Sequence, residues 1–210
     1  MKKLATKTIW AIFVLSCILI GLYPLIYFLI EVNFGLLALK SKKLLENVLW
    51  NNFFYGHIIF GGISLLIGWT QFSPKLRRKR LALHRLVGKV YVLCVLISGV
   101  CGIYIAQFAT GGITNIIAFN LSALIWLITT IAAYKAIKKR KIKLHENYMI
   151  YSYAVCFSAV TLRIWLPILT EVTGSFDEAY LIGSWLSWVP NLLVAFFIIK
   201  MKNLRFKTSV

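Results

Sequence analysis

The chain has 210 residues, 60% of them hydrophobic, with a mean hydropathy of +0.80. Soluble domains sit near ~45–50% apolar residues, so no water-facing fold of this length buries so much apolar surface, and lipid is the expected solvent for most of it. Twenty-four Lys and Arg stand against six Asp and Glu, a formal charge of +18; the bases fall almost wholly between apolar runs, the pattern of a chain held at anionic lipid rather than at nucleic acid.

The first span is expected from about Thr8 to Ile30. Val14 to Cys17 has the look of a lipoprotein cleavage box, but the apolar run continues too far for a signal segment, so the helix is read as uncleaved, with a kink at Pro24. A segment from Glu31 to Val48 follows, carrying Lys40, Lys42 and Lys43, and is placed outside, along the interface. Further spans are expected at about Leu49 to Phe72, Arg85 to Phe108, Gly112 to Ala136, Leu144 to Thr170 and Leu181 to Ile199. The basic stretches SPKLRRKRLALH and KAIKKRKIK and the basic tail from Lys200 alternate with the uncharged turn ATGGITN and the acidic EVTGSFDEAY. Nineteen of the 24 bases then lie on one side, which predicts an all-α integral membrane protein: one domain over 1–210, six transmembrane helices and both termini cytoplasmic. The four cysteines all lie in apolar runs without a C-x-x-C spacing, so neither a disulfide frame nor a zinc site is expected.

On a helix of 3.6 residues per turn, His57, Gly61, Ser64, Gly68 and Gln71 share one face of the second span. The third span aligns His84, Gly88, Tyr91, Val95, Ser98 and Gly102 in the same way, and the fifth aligns His145, Met149, Ser152, Cys156, Ala159 and Arg163. Small residues permit close helix approach and polar ones avoid lipid, so the stripes are expected to face one another in the bundle interior. Packing alone accounts for most of the small residues. The histidines and Arg163 ask for more, because an ionisable group in a span is costly unless paired or functional.

Depth separates two levels. His84 and His145 begin their spans near Gln71, Arg77, Arg80 and Arg85, whereas His57 lies in the outer half, and Arg163 stands roughly 27 Å along its helix from His145. At the inner level, His84 and His145 are candidate axial ligands of one b-type haem, the only metal role expected of them. Arg77 and Arg85 would neutralise its propionates, with Tyr91 and Tyr148 nearby. The alternative is that both histidines are interfacial, bonded to backbone or lipid phosphate. Three histidines allow at most one bis-histidine haem. His57, Gln71 and Arg163 are the candidate substrate-binding residues. His145-Glu146 opens like a zinc-protease helix, but Met149 stands where the second ligand would fall, and Glu146 is read as an acid in a first helical turn.

The pattern H-x3-G…G-x2-Q-F-x-P-x-L-R…H-R-x2-G-x2-Y runs through His57, Gly61, Gly68, Gln71, Phe72, Pro74, Leu76, Arg77, His84, Arg85, Gly88 and Tyr91. With HENYMIYSYAVCFSAVTLRIWLP in the fifth span, it resembles the bacterial predicted membrane proteins grouped as domain of unknown function 2306, over roughly Asn51 to Pro167. The resemblance implies a multi-helix protein of the bacterial cytoplasmic membrane and no established activity. Tyr151 departs from it, standing where the family usually has arginine, which puts any anion contact of that arginine in doubt.

Three functions are compatible with these residues. One is a membrane redox protein with a haem between His84 and His145 and a quinone or membrane protein as electron partner. Another is a transporter or enzyme for a membrane-embedded or anionic small molecule, with His57 and Arg163 at an outer cavity. The third is a non-catalytic accessory or assembly subunit.

Overall fold

In a computed structural model of the chain, residues 2–29 and 35–207 are described, with the side chains of residues 7–29 and 37–204. Ile30 and Glu31, at the end of the expected first span and the start of the outer segment, lie outside the described residues. Among those described, six helical segments are long and apolar enough to cross a membrane: Lys7–Leu29, Val48–Phe72, Leu81–Ala106, Ile113–Lys138, Ile142–Thr173 and Phe176–Leu204. All regular structure described is helical.

Two spans differ appreciably from expectation. The third begins at Leu81, because Leu-Ala-Leu is strongly helix-forming and the long His84 and Arg85 side chains can reach a polar layer without ending the helix. The last begins at Phe176. Ser175 caps it by accepting a bond from the Glu178 N–H, and Asp177 and Glu178 sit in its first turn; these acids favour the positive end of a helix dipole and start the helix rather than mark a loop.

The chain divides into two compact units, Met1–Cys101 and Gly102–Val210. In the first, α1 (Lys2–Leu22) is followed by a 3₁₀ turn, Tyr23–Leu25, at the expected kink, and by α2 (Ile26–Leu29). A short α3 (Lys42–Leu45) leads to α4 (Val48–Gly68), whose first turn is capped by Asn47 accepting from the Trp50 N–H at 3.0 Å. Ser73 and Pro74 then start α5 (Pro74–Lys79), and α6 (Leu81–Ala106) follows. Helices α1 and α4 meet at glycines: a Cβ at Gly62 would lie 2.6 Å from the Gly21 carbonyl oxygen, and one at Gly21 would lie 2.6 Å from Leu66 Cγ. Neither contact leaves room for a methyl group.

The second unit takes in the end of α6 and then turns at Gly111 and Gly112, both at positive φ (89° and 76°), which suits residues lacking a Cβ. Asn115, fully buried, donates from Nδ2 to the Thr110 carbonyl at 2.8 Å and ties this turn to α7 (Ile113–Lys138). Next come α8 (Ile142–Cys156) and α9 (Ser158–Thr173), then α10 (Phe176–Leu186) and α11 (Val189–Lys207). Each of the last two spans is therefore two helices, broken at Phe157 and at Ser187–Trp188. Pro190 explains the second break: it lacks the N–H that would continue the ladder and disfavours helical geometry at Val189.

Candidate functional site

The stripes read from the sequence are the buried faces of their helices. Tyr91, Val95 and Ser98 on α6, Ser64 on α4 and Ser152 on α8 are all inaccessible or nearly so. In the first unit the stripes of the second and third spans meet each other. His57 Nδ1 lies 2.9 Å from the Ser98 carbonyl oxygen, and Ser98 Oγ donates to the His57 carbonyl at 2.8 Å. Further along, Gln71 Oε1 lies 3.4 Å from where a Gly88 Cβ would stand, so the amide packs against that glycine.

In the second unit the stripe of the fifth span meets the fourth span. Thr130 donates to the Trp126 carbonyl at 2.7 Å, which uses its only proton, so it accepts from Ser152 Oγ at 2.6 Å in a fully buried pair. About two turns back along α8, His145 Nδ1 lies 2.9 Å from the Ala133 carbonyl oxygen. A carbonyl can only accept, so Nδ1 carries the proton and, in the neutral ring, Nε2 carries the lone pair. His57 follows the same logic against Ser98, so two of the three histidines are held by a backbone carbonyl of the neighbouring helix.

The remaining candidates are placed as follows. His84 is half-buried, the fourth residue of α6 as His145 is of α8, and its backbone N–H bonds the Arg80 carbonyl at 3.0 Å. Arg77 and Arg85 are exposed, whereas Tyr91 is fully buried on the His84 face. Gln71 Nε2 donates to Thr70 Oγ1 at 3.3 Å. Arg163 is half-buried and donates from Nη1 to the Ala159 carbonyl of its own helix at 2.9 Å. Glu146 is not in a first turn, because α8 starts at Ile142; it pairs instead with Lys202 of α11. Among the described residues, no cluster of three or more His, Cys, Asp or Glu side chains could hold a metal ion.

Sequence reasoning missed the polar knot at the two helix breaks. Asn191 Nδ2 lies 3.2 Å from the Ala154 carbonyl, 3.1 Å from Thr161 Oγ1 and 2.8 Å from the Ser187 carbonyl, and Thr161 Oγ1 also donates to Ser187. The signal was present: Pro190 breaks the last span, and a backbone freed within lipid needs a side chain to satisfy it. Asn191, one residue later, is the amide placed to do so.

No curated protein and no solved structure matches the chain. The profile of one family, described as predicted membrane protein (DUF2306), matches residues 54–199, a segment holding both histidine-bearing motifs. With six apolar helices of spanning length, the chain is a multi-pass membrane protein that belongs to the DUF2306 family.

Proposed function

We propose that the protein is a membrane redox protein in which one b-type haem would be held by His145 and by His84, the latter taken from the sequence pattern. The observation that supports this reading is the bond from His145 Nδ1 to the Ala133 carbonyl. Ligating histidines commonly donate the second ring N–H to a carbonyl, which fixes the ring and directs the Nε2 lone pair outward. His145 therefore has the tautomer that iron ligation requires. A haem so bound supplies one-electron transfer, with a quinone or a membrane protein as its redox partner. In this chain His145 is oriented by α7, and the exposed guanidinium groups of Arg77 and Arg85 are the assigned partners of the propionates.

The test is the visible spectrum of the purified protein from haem-replete cells, oxidised and reduced. A Soret band that shifts on reduction is expected, lost in His145→Ala and in His84→Ala and kept in His57→Ala. A colourless preparation with a cooperative unfolding transition overturns the proposal.

A second reading, an accessory subunit without chemistry, is favoured by the Thr130–Ser152 pair and the Asn191 knot, in which polar groups satisfy one another. On that reading the histidine variants change the melting temperature alone, and the protein co-purifies with a larger complex.

A further inference from the structure

Helices α8 and α11 of the second unit frame a pocket of about 310 Å³, lined by Tyr151, Phe196, Ile199, Lys200, Asn203 and Leu204. Its lining is amphipathic. Ile199 is buried, whereas Phe196 and Leu204 are 48% and 54% exposed beside the exposed Leu193, Phe197 and Met201. A spanning helix that shows so many large apolar side chains faces lipid there. Lys200 and Asn203 stand in the C-terminal half of α11, and the Glu146–Lys202 pair ties this end of α11 to the start of α8.

Charge singles out Lys200. Lys202 on the same helix is matched by Glu146, and among the described residues no carboxylate pairs with Lys200. The segment from the end of α7 into the first turn of α8 adds Lys138, Lys139, Arg140, Lys141 and Lys143 at the same end of the unit, a field that attracts anions to the membrane surface. A lysine, an asparagine and a tyrosine thus line one pocket beside an apolar surface. Phe196 lies about 6 Å deeper along the helix than Lys200, on the side an acyl chain would follow from a head group at the lysine.

We propose that this pocket binds one anionic phospholipid. Its phosphate is held by Lys200 with Asn203 and Tyr151, and an acyl chain lies against Phe196 and Ile199. A free phosphate would satisfy the lysine but leave the apolar half of the pocket without a partner, so the occupant is the amphiphile. This site uses neither His84 nor His145, and binding is expected even if the protein proves colourless.

Native mass spectrometry of the intact chain released from detergent tests it, with phosphatidylglycerol, phosphatidylcholine of the same acyl chains, or inorganic phosphate added. One retained phosphatidylglycerol is expected, with phosphatidylcholine at least tenfold weaker and no competition from phosphate. Lys200→Gln is expected to weaken retention about tenfold and Lys200→Arg to restore it, while Lys75→Gln, an exposed base of the first unit, leaves it unchanged. Should Lys200→Gln fold poorly, Asn203→Leu at an exposed position provides the same reading. Equal retention of phosphatidylcholine, or equal losses in Lys75→Gln and Lys200→Gln, overturns the specific site. Displacement of the lipid by inorganic phosphate overturns the amphiphile as its occupant.

Discussion

Gly62→Val is expected to destabilise the first unit by about 3 kcal/mol, the upper part of the usual range for over-packing. The reason lies in what the new atoms would meet. A Cβ at this position falls 2.6 Å from the Gly21 carbonyl oxygen and 3.1 Å from Pro24 Cγ, and a backbone oxygen in α1 cannot swing aside as a side chain could. Relief requires α1 and α4 to separate, which opens their whole contact. Gly183→Ala provides the control: its nearest neighbours would be Leu162 Cδ1 at 3.5 Å and Leu169 Cδ1 at 3.7 Å, ordinary contact distances. Since Ala is the better helix former by about 0.5–1 kcal/mol, that variant is expected to be neutral or slightly stabilising. Unfolding in detergent followed by tryptophan fluorescence checks both, and equal effects of the two substitutions would refute the close α1–α4 crossing.

Asn191→Leu is expected to cost about 1 kcal/mol, from the two hydrogen bonds that its two amide protons can make among three nearby acceptors, at about 0.6 kcal/mol each, the average measured within membrane helices. Leucine matches asparagine closely enough in size to fill the space, but it leaves the Ala154 carbonyl without the amide and Thr161 Oγ1 without one of its partners. The loss should concentrate where α8 meets α9 and α10 meets α11. Amide hydrogen exchange is then expected to rise around Phe157 and Ser187 and to stay unchanged in α7. Unaltered exchange at both breaks in a destabilised variant would show that Asn191 acts elsewhere.

Much of this protein was legible before any coordinates. Apolar run length depends only on local composition and bilayer thickness, so all six spans followed from the sequence. Helical periodicity is equally local, which is why the stripes through Ser64, Tyr91 and Ser152 coincide with buried faces. Helix ends were read less well: Ser175 and Leu81 start helices where a loop was expected, because caps and snorkelling side chains carry a helix into its polar flanks.

Partner choice could not be read in this way. Periodicity says that Ser98 is buried but not that it bonds His57, and it says that His145 lies on a polar face but not that Ala133 holds its ring. Hydropathy runs unbroken through Phe157 and Ser187, so run length by itself passed over both breaks, although Pro190 marked the second. The sequence by itself determined the solvent of this chain, its six helices long enough to cross a bilayer and the buried face of three of them, because these depend on one segment and the bilayer. Only the tertiary structure decided which carbonyl sets the tautomer of each histidine, where two glycines bring helices together and how Asn191 closes two broken spans. Each of those depends on atoms far apart in the chain meeting within about 3 Å, where hydrogen-bond geometry and close packing act.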